Sequence, residues 1–320
     1  MGILDIFKKK RHAMPQDELR VLELFGGIGA CTSALERIGV PHKVVDYVEI
    51  DKYACRSYNA IHGTSFEPQD ICEWDKDIEC DLIMHGSPCQ DFSAAGLGAG
   101  GDENSNTRSS LMWQTVRIVG KLMPAYVVWE NVKNVTSKKH RHNFEKYLSA
   151  LEGLGYTNHW KLINAKDCGV AQNRERVFVI SIRNDIENDF SFPNSISLNK
   201  RLKDYLEDDV DEKYYMSGSC VEKMKRNVRS YKPDGICPTL TTELAHSTGK
   251  NLYPKIYTEL LSLGIKPRRL TPKETWRLMS FNDDEFQKAK AVNSDVQLYK
   301  QAGNTIVVDC LAMIFENLFK

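Results

Sequence analysis

A cysteine stands between a proline and a glutamine in Gly86-Ser-Pro-Cys-Gln90, after the apolar run Asp81-Leu-Ile-Met84 and before a glycine-rich stretch that reaches Gly101. A thiol at the end of a strand can act as a nucleophile when an acid or base stands beside it. A small hydrophobic residue in a turn is the commoner role of a free cysteine. An acidic partner is offered by Val127-Val-Trp-Glu-Asn-Val132, where Glu130 closes a second apolar run. Ligands of open parallel sheets bind outside the carboxyl ends of the strands, so Cys89 and Glu130 are expected to face one crevice. Gln172-Asn-Arg-Glu-Arg-Val177 adds Arg174 and Arg176 just before a further strand. Residues two apart in an extended segment share a face, which lets both guanidiniums reach one substrate; an ion pair with Glu175 is the alternative.

A second group of residues suits a ligand with a ribose. Val21-Leu-Glu-Leu-Phe-Gly-Gly-Ile-Gly29 reads as a buried strand that delivers glycines into a turn opening a helix over 30–38. Glycines there let a backbone approach a ligand closely. About twenty residues on, Val48-Glu-Ile-Asp51 ends the next strand with an acidic residue able to accept hydrogen bonds from ribose hydroxyls. Because Phe25-Gly-Gly-Ile-Gly29 is not GxGxxG, the pattern favours a nucleoside ligand such as S-adenosylmethionine over a dinucleotide. A tight strand-to-helix turn with an exposed Glu49 is the alternative.

The elements that must position these residues follow from apolar periodicity. Strands are expected over 20–25, 43–50, 81–85, 125–130 and 176–182, with amphipathic helices over 110–122 and 143–154 between them, the pattern of a parallel sheet covered by helices. Beyond Arg183 the alternation fails, and the stretch to about Pro267 reads as a smaller irregular domain. Regularity returns at Thr271-Pro-Lys-Glu274, a capping box with proline at the first helical position. A last helix is expected over 304–319, with Val307, Cys310, Leu311, Ile314 and Leu318 inward. The expected organisation is thus a tail over 1–18, a catalytic domain made of 19–183 and 268–320, and a second domain over 184–267.

The chain has 320 residues, 43 basic and 43 acidic, so it does not simply coat nucleic acid by bulk charge. A basic cleft remains compatible with that balance: Lys223, Lys225, Arg226, Arg229 and Lys232 crowd one stretch. Its nine cysteines include no CxxC pair, which points away from a zinc site or a disulfide framework and toward a reducing cytoplasm. No apolar run approaches the roughly 20 residues of a membrane span. Met1-Gly-Ile-Leu-Asp-Ile-Phe7 with Lys8-Lys-Lys-Arg11 reads as a frayed tail.

Taken in order, Phe25-Gly-Gly-Ile-Gly29, Gly86-Ser-Pro-Cys-Gln90, Glu130-Asn-Val132, Gln172-Asn-Arg-Glu-Arg176, Arg269-Leu-Thr-Pro-Lys-Glu274 and Gln301-Ala-Gly-Asn-Thr305 resemble the motifs of the DNA (cytosine-5)-methyltransferase family from Leu19 onward. The resemblance implies an α/β fold: a Rossmann-like S-adenosylmethionine-dependent methyltransferase sheet with a smaller, irregular target-recognition domain in 184–267. It implies that Cys89 is the nucleophile toward C6 of a flipped cytosine, that Glu130 meets N3 and the exocyclic amine, that Arg174 contacts the base carbonyl O2, and that Arg176 holds Glu130 or a phosphate. S-adenosyl-L-methionine would be held by Phe25, Gly27, Gly29, Glu49 at the ribose, Ile50 on the adenine, Asp70 and Ile71 at its edge, Leu111 and Asn304. Double-stranded DNA would be met by Gln90 and Ser93 in the glycine-rich loop, by Thr239 and Leu240, and by Lys223, Arg226 and Arg229 on phosphates. The implied protein is a monomer without metal or membrane, cytoplasmic and at the nucleoid through its DNA. The target sequence, a companion restriction endonuclease and the base that removes the C5 proton are left open. An RNA methyltransferase of the same family is the nearest alternative, but the Cys-Phe-Thr signature usual in that branch is absent. A non-catalytic relative is disfavoured because Cys89, Glu130 and Arg174 are all present.

Overall fold

The computed structural model describes residues 18–88, 108–215, 230–231, 233–242, 255–256 and 268–320. β1 (Leu19–Leu24) is buried along nearly its whole length, as befits a strand covered on both faces. It leads through a glycine turn into α1 (Ala30–Ile38), which stops at Gly39 in the left-handed region. β2 (His42–Val48) and α2 (Lys52–His62) follow, then β3 (Leu82–His85), α3 (Met112–Leu122), β4 (Tyr126–Val132) and α4 (Arg141–Gly153). β5 (Tyr156–Asn164), β6 (Gln172–Asn173) and β7 (Glu175–Arg183) close the first half.

Six of these strands form one sheet in the order β2-β1-β3-β4-β7-β5. β2, β1, β3 and β4 are mutually parallel, whereas β7 runs antiparallel to both β4 and β5. The sheet is therefore mixed, where a parallel sheet was expected. Only the segment 165–174 joins β5 to β7, too short for a crossover helix, so the two strands must pair as a hairpin. Side chains of α1 and α2 pack with Val21 and Met84 on one face, those of α3 and α4 with Leu22 and Trp129 on the other. The helices that follow β1 and β3 thus leave the sheet in opposite directions, which opens a crevice at the carboxyl ends of these two adjacent strands.

The chain beyond β7 carries only short strands among its described parts: β8 (Ser230–Tyr231), β9 (Cys237–Pro238), β10 (Lys255–Ile256) and β11 (Arg268–Arg269). The described part of this stretch packs on the main core. Phe190, Leu202, Tyr205, Tyr214, Cys237 and Leu240 are buried in the same cluster as the sheet and its helices, so Asn184 marks where the sheet ends and not where its core ends. α5 (Pro272–Arg277) has the expected capping box, with Thr271 and Glu274 bonded reciprocally. After α6 (Asp283–Val292) comes α7 (Asp295–Asn304), and the expected final helix is α8 (Val308–Phe319), which begins four residues later than expected. The break at 305–307 puts Asn304 at a helix end, where its side chain reaches the crevice. By length and composition the span covered by α7 and α8 could match a membrane segment. Val308, Leu311, Ile314 and Phe315 spend that apolarity in the core.

Candidate active site

The crevice has two lobes, of about 680 and 1040 Å³, that share Phe25, Glu49, Gly86, Glu130 and Asn304 as walls. In the turn after β1, Gly27 adopts φ +57, and a side chain there would meet only the Phe25 carbonyl at 4.0 Å. Its amide donates to Glu49 Oε2 at 3.2 Å, while the Asp51 amide donates to Oε1 at 2.8 Å. Two backbone donors thus aim the Glu49 carboxylate, leaving lone pairs for hydroxyl donors. Burial raises its pKa, and the two amides oppose that rise. Beside it Ile50 is 69% exposed, a large apolar surface left uncovered at the lobe that Asp70, Ile71 and Leu111 also line. The lobe thus offers an exposed apolar face beside a carboxylate with free lone pairs.

Gly29 does not belong to this group. It lines neither lobe, and a side chain on it would lie 2.3 Å from His62 Nε2 and 2.9 Å from the Tyr58 ring. Its φ of +85 and lack of a side chain seat α1 against α2, a packing demand on the same residue type. Sequence reasoning also missed Lys300, which lines the first lobe and pairs with Asp51 at 2.6 Å. Nothing in the periodicity of α7 marks that lysine, because its partner lies about 250 residues away in the chain.

At the other end, Glu130 is buried with Oε1 2.9 Å from Arg176 Nε. Its second oxygen faces Gly86, 3.8 Å from where a side chain on that glycine would begin. Burial raises the Glu130 pKa, against the lowering influence of Arg176 and Arg174. β3 ends here, and Gly86, Ser87 and Pro88 form the adjoining wall. Cys89, Gln90 and Ser93 lie outside the described residues, as do Lys223, Arg226 and Arg229.

Arg174 lines the larger lobe beside Glu130 and Arg176, and it is also bonded to backbone carbonyls. Its Nη1 donates to the Leu240 carbonyl at 2.8 Å, and its Nη2 to the carbonyls of Gly303 and Thr305 at 3.1 and 2.8 Å. Those bonds commit the end of the guanidinium to joining the 237–242 segment to the end of α7, so of the two arginines Arg176 is the one paired with Glu130. Leu240, expected near DNA, is 1% exposed, with its amide bonded to Gln172 Oε1 at 3.1 Å. Thr239 stays exposed, with its hydroxyl donating to the Asn173 carbonyl at 2.7 Å. Parallel pairing of β6 with β9 draws this segment inward, and Gly303 abuts the Thr241–Thr242 backbone too closely for any side chain.

Fold and site together define a Rossmann-like α/β protein in which a two-lobed crevice with a buried acid opens at the carboxyl ends of the parallel strands. The chain belongs to the C-5 cytosine-specific DNA methylase family, which it matches over residues 19–320. It is a DNA (cytosine-5)-methyltransferase, and the reaction of its family depends on S-adenosylmethionine. It is 36% identical to the type II methyltransferase M2.ScrFI of Lactococcus lactis subsp. cremoris, over 94% of this chain and 99% of that one. It is 30% identical to the orphan methyltransferase M.SPBetaI of Bacillus phage SPbeta, over 94% and 97%. Among solved structures, the S. pombe Dnmt2 methyltransferase superposes with a TM-score of 0.75 at 21% identity, covering 93% of this chain and 97% of that one. Entamoeba histolytica methyltransferase EhMeth gives 0.76 at 19%, covering 95% and 98%. At these identities the likeness is one of fold.

Proposed function

We propose that the protein transfers a methyl group from S-adenosylmethionine to C5 of a cytosine flipped out of a short specific site in double-stranded DNA. The observation that carries this reading is the position of Glu130 on the wall common to both lobes, beside Gly86, Ser87 and Pro88, the residues that lead from β3 to Cys89.

Cytosine C5 is a poor nucleophile until C6 is saturated. The Cys89 thiolate adds to C6, and the displaced electron pair moves through the ring to N3. Glu130 delivers a proton to N3 and accepts from the exocyclic amine, so no anion accumulates on the ring. Arg176, whose Nε pairs with Glu130, is proposed as the donor to the O2 carbonyl in place of Arg174, whose Nη atoms bond three backbone carbonyls. C5 is then enamine-like and takes the methyl group, which S-adenosylmethionine supplies when bound. Loss of the C5 proton to a base or to water re-forms the double bond as Cys89 leaves as a thiolate, and the N3 proton returns to Glu130.

On the cofactor side, Glu49 accepts from the ribose hydroxyls, Ile50 and Ile71 cover the adenine, and Phe25, Gly27, Leu111, Asp70 and Asn304 complete the enclosure. Calorimetry is expected to detect S-adenosylmethionine binding without DNA. Glu49→Ala should weaken it by about 10- to 100-fold, the scale of hydrogen bonds to a charged acceptor. Equal affinity in the variant would remove the ribose from Glu49.

The stretch 184–267, with Lys223, Arg226, Arg229 and Thr239, is assigned to recognition of the target site. Bisulfite sequencing of DNA from cells expressing the chain should show cytosines protected at one short recurring sequence. Unprotected DNA, with protection confined to RNA from the same cells, would overturn the assignment of DNA as substrate.

A further inference from the structure

We propose that Ser87, tethered by Trp129, is a positioning residue that aims the turn carrying Cys89; this rests on the reading of Cys89 as the nucleophile. Trp129 Nε1 donates to Ser87 Oγ at 3.0 Å, with both residues buried. Asn131 Nδ2 reaches the Ser87 carbonyl at 3.3 Å, and its own Oδ1 accepts from the Val132 amide at 2.8 Å. Trp129 and Asn131, two apart on β4, project to one face and hold Ser87, while Glu130 between them projects to the other, into the crevice. One strand thus registers the acid and the start of the nucleophile turn against each other.

The tether is itself braced. The Trp129 ring lies parallel to that of His85, at 2° with centroids 5.8 Å apart, and packs 4.3 Å from the Tyr147 ring. Tyr147 in turn bonds His85 Nε2 through its hydroxyl at 2.8 Å. Burial lowers the His85 pKa to about 3, so the imidazole stays neutral and its bonding pattern is unchanged at working pH. Between Ser87 and Cys89 stands only Pro88, whose ring fixes φ and restricts the backbone of the residue before it. A hydroxyl is not needed there for strand formation or for lining the cofactor lobe. Its role is to hold the turn to the indole.

Removing one hydroxyl should let the turn wander by a fraction of an ångström without emptying the cofactor lobe. Ser87→Ala and Trp129→Phe are each expected to slow single-turnover methyl transfer by about 10- to 100-fold. Covalent trapping by a 5-fluorocytosine duplex should slow in step, with S-adenosylmethionine affinity kept within about twofold. The double variant should be no slower than the slower single, since the Trp129–Ser87 bond is common to both and Ser87→Ala loses besides it only the longer 3.5 Å contact of Asn131 Nδ2 with Ser87 Oγ. Ser87→Ala is the decisive variant, because it deletes only an oxygen. A Ser87→Ala rate within about twofold of the parent, a parallel loss of S-adenosylmethionine affinity, or losses that multiply in the double variant would each overturn the proposal. Cys89→Ala is run alongside. If it is inactive while Ser87→Ala is unimpaired, the tether alone fails; if it is active, the nucleophile reading fails.

Discussion

A DNA duplex carrying 5-fluorocytosine at the target position should become covalently attached to the enzyme in the presence of S-adenosylmethionine, and the complex should survive denaturing electrophoresis. Addition of Cys89 Sγ to C6 and methylation at C5 are both open to the fluorinated base. Release is not, because elimination of the cysteine requires a proton to leave C5 and that position holds fluorine. Cys89→Ala should abolish both the adduct and methyl transfer, leaving activity below detection. Most of the other described thiols make poor competitors, being buried. Burial raises the pKa of Cys31 and pushes that of Cys80 up to about 12, so both stay protonated and out of reach. Among the described cysteines only Cys72 is exposed. Cys72→Ser should therefore trap DNA as the parent does. A trapped peptide that contains any cysteine other than Cys89 would end this mechanism, whatever the activity of the variants.

What could be read from the sequence depended on whether a residue type answered one demand or several. Phe25-Gly-Gly-Ile-Gly29 and Glu49 could be read as one group because a glycine turn and a strand-end acid are local features, set within one βαβ unit, and the structure joins them through the Gly27 amide on Glu49. Gly29 looked the same as Gly27 in sequence, yet its cause is His62 on another helix, which no local pattern reports. Arg174 and Arg176 alternate, but only β7 decides which of them faces Glu130, while Arg174 is drawn away by carbonyls at 240, 303 and 305. β5 went unread because it is an edge strand with mixed burial, and Tyr156-Thr-Asn-His-Trp-Lys shows neither a long apolar run nor clean alternation. Leu240, placed near DNA by resemblance alone, is taken into the main core by the pairing of β6 with β9, a contact that no local pattern reports. Lys300 and the Ser87–Trp129 bond belong to tertiary structure entirely.

Glu130→Gln should slow methyl transfer by on the order of 10²-fold or more while leaving the affinity for DNA nearly unchanged. The amide keeps the shape of the protonated acid: its carbonyl can accept from the exocyclic amine and its N–H can donate toward N3. It cannot give up a proton. The loss should therefore fall on the chemical step, and Glu130→Ala, which also loses the hydrogen bonds, should weaken binding as well. The direction of pH dependence follows from burial. Burial holds the Glu130 proton more tightly than an exposed carboxyl would, in spite of Arg176 and Arg174, so the active, protonated form persists to higher pH than an ordinary glutamic acid would allow. As pH rises through that raised value the parent's single-turnover rate should fall, because the carboxylate left on Arg176 has no proton to deliver. The Gln variant carries no titrating group at this position, and its slower rate should lose that limb of the profile. A variant that keeps the limb would assign it to another group, and a Gln variant within a few fold of the parent would remove proton delivery from Glu130 altogether.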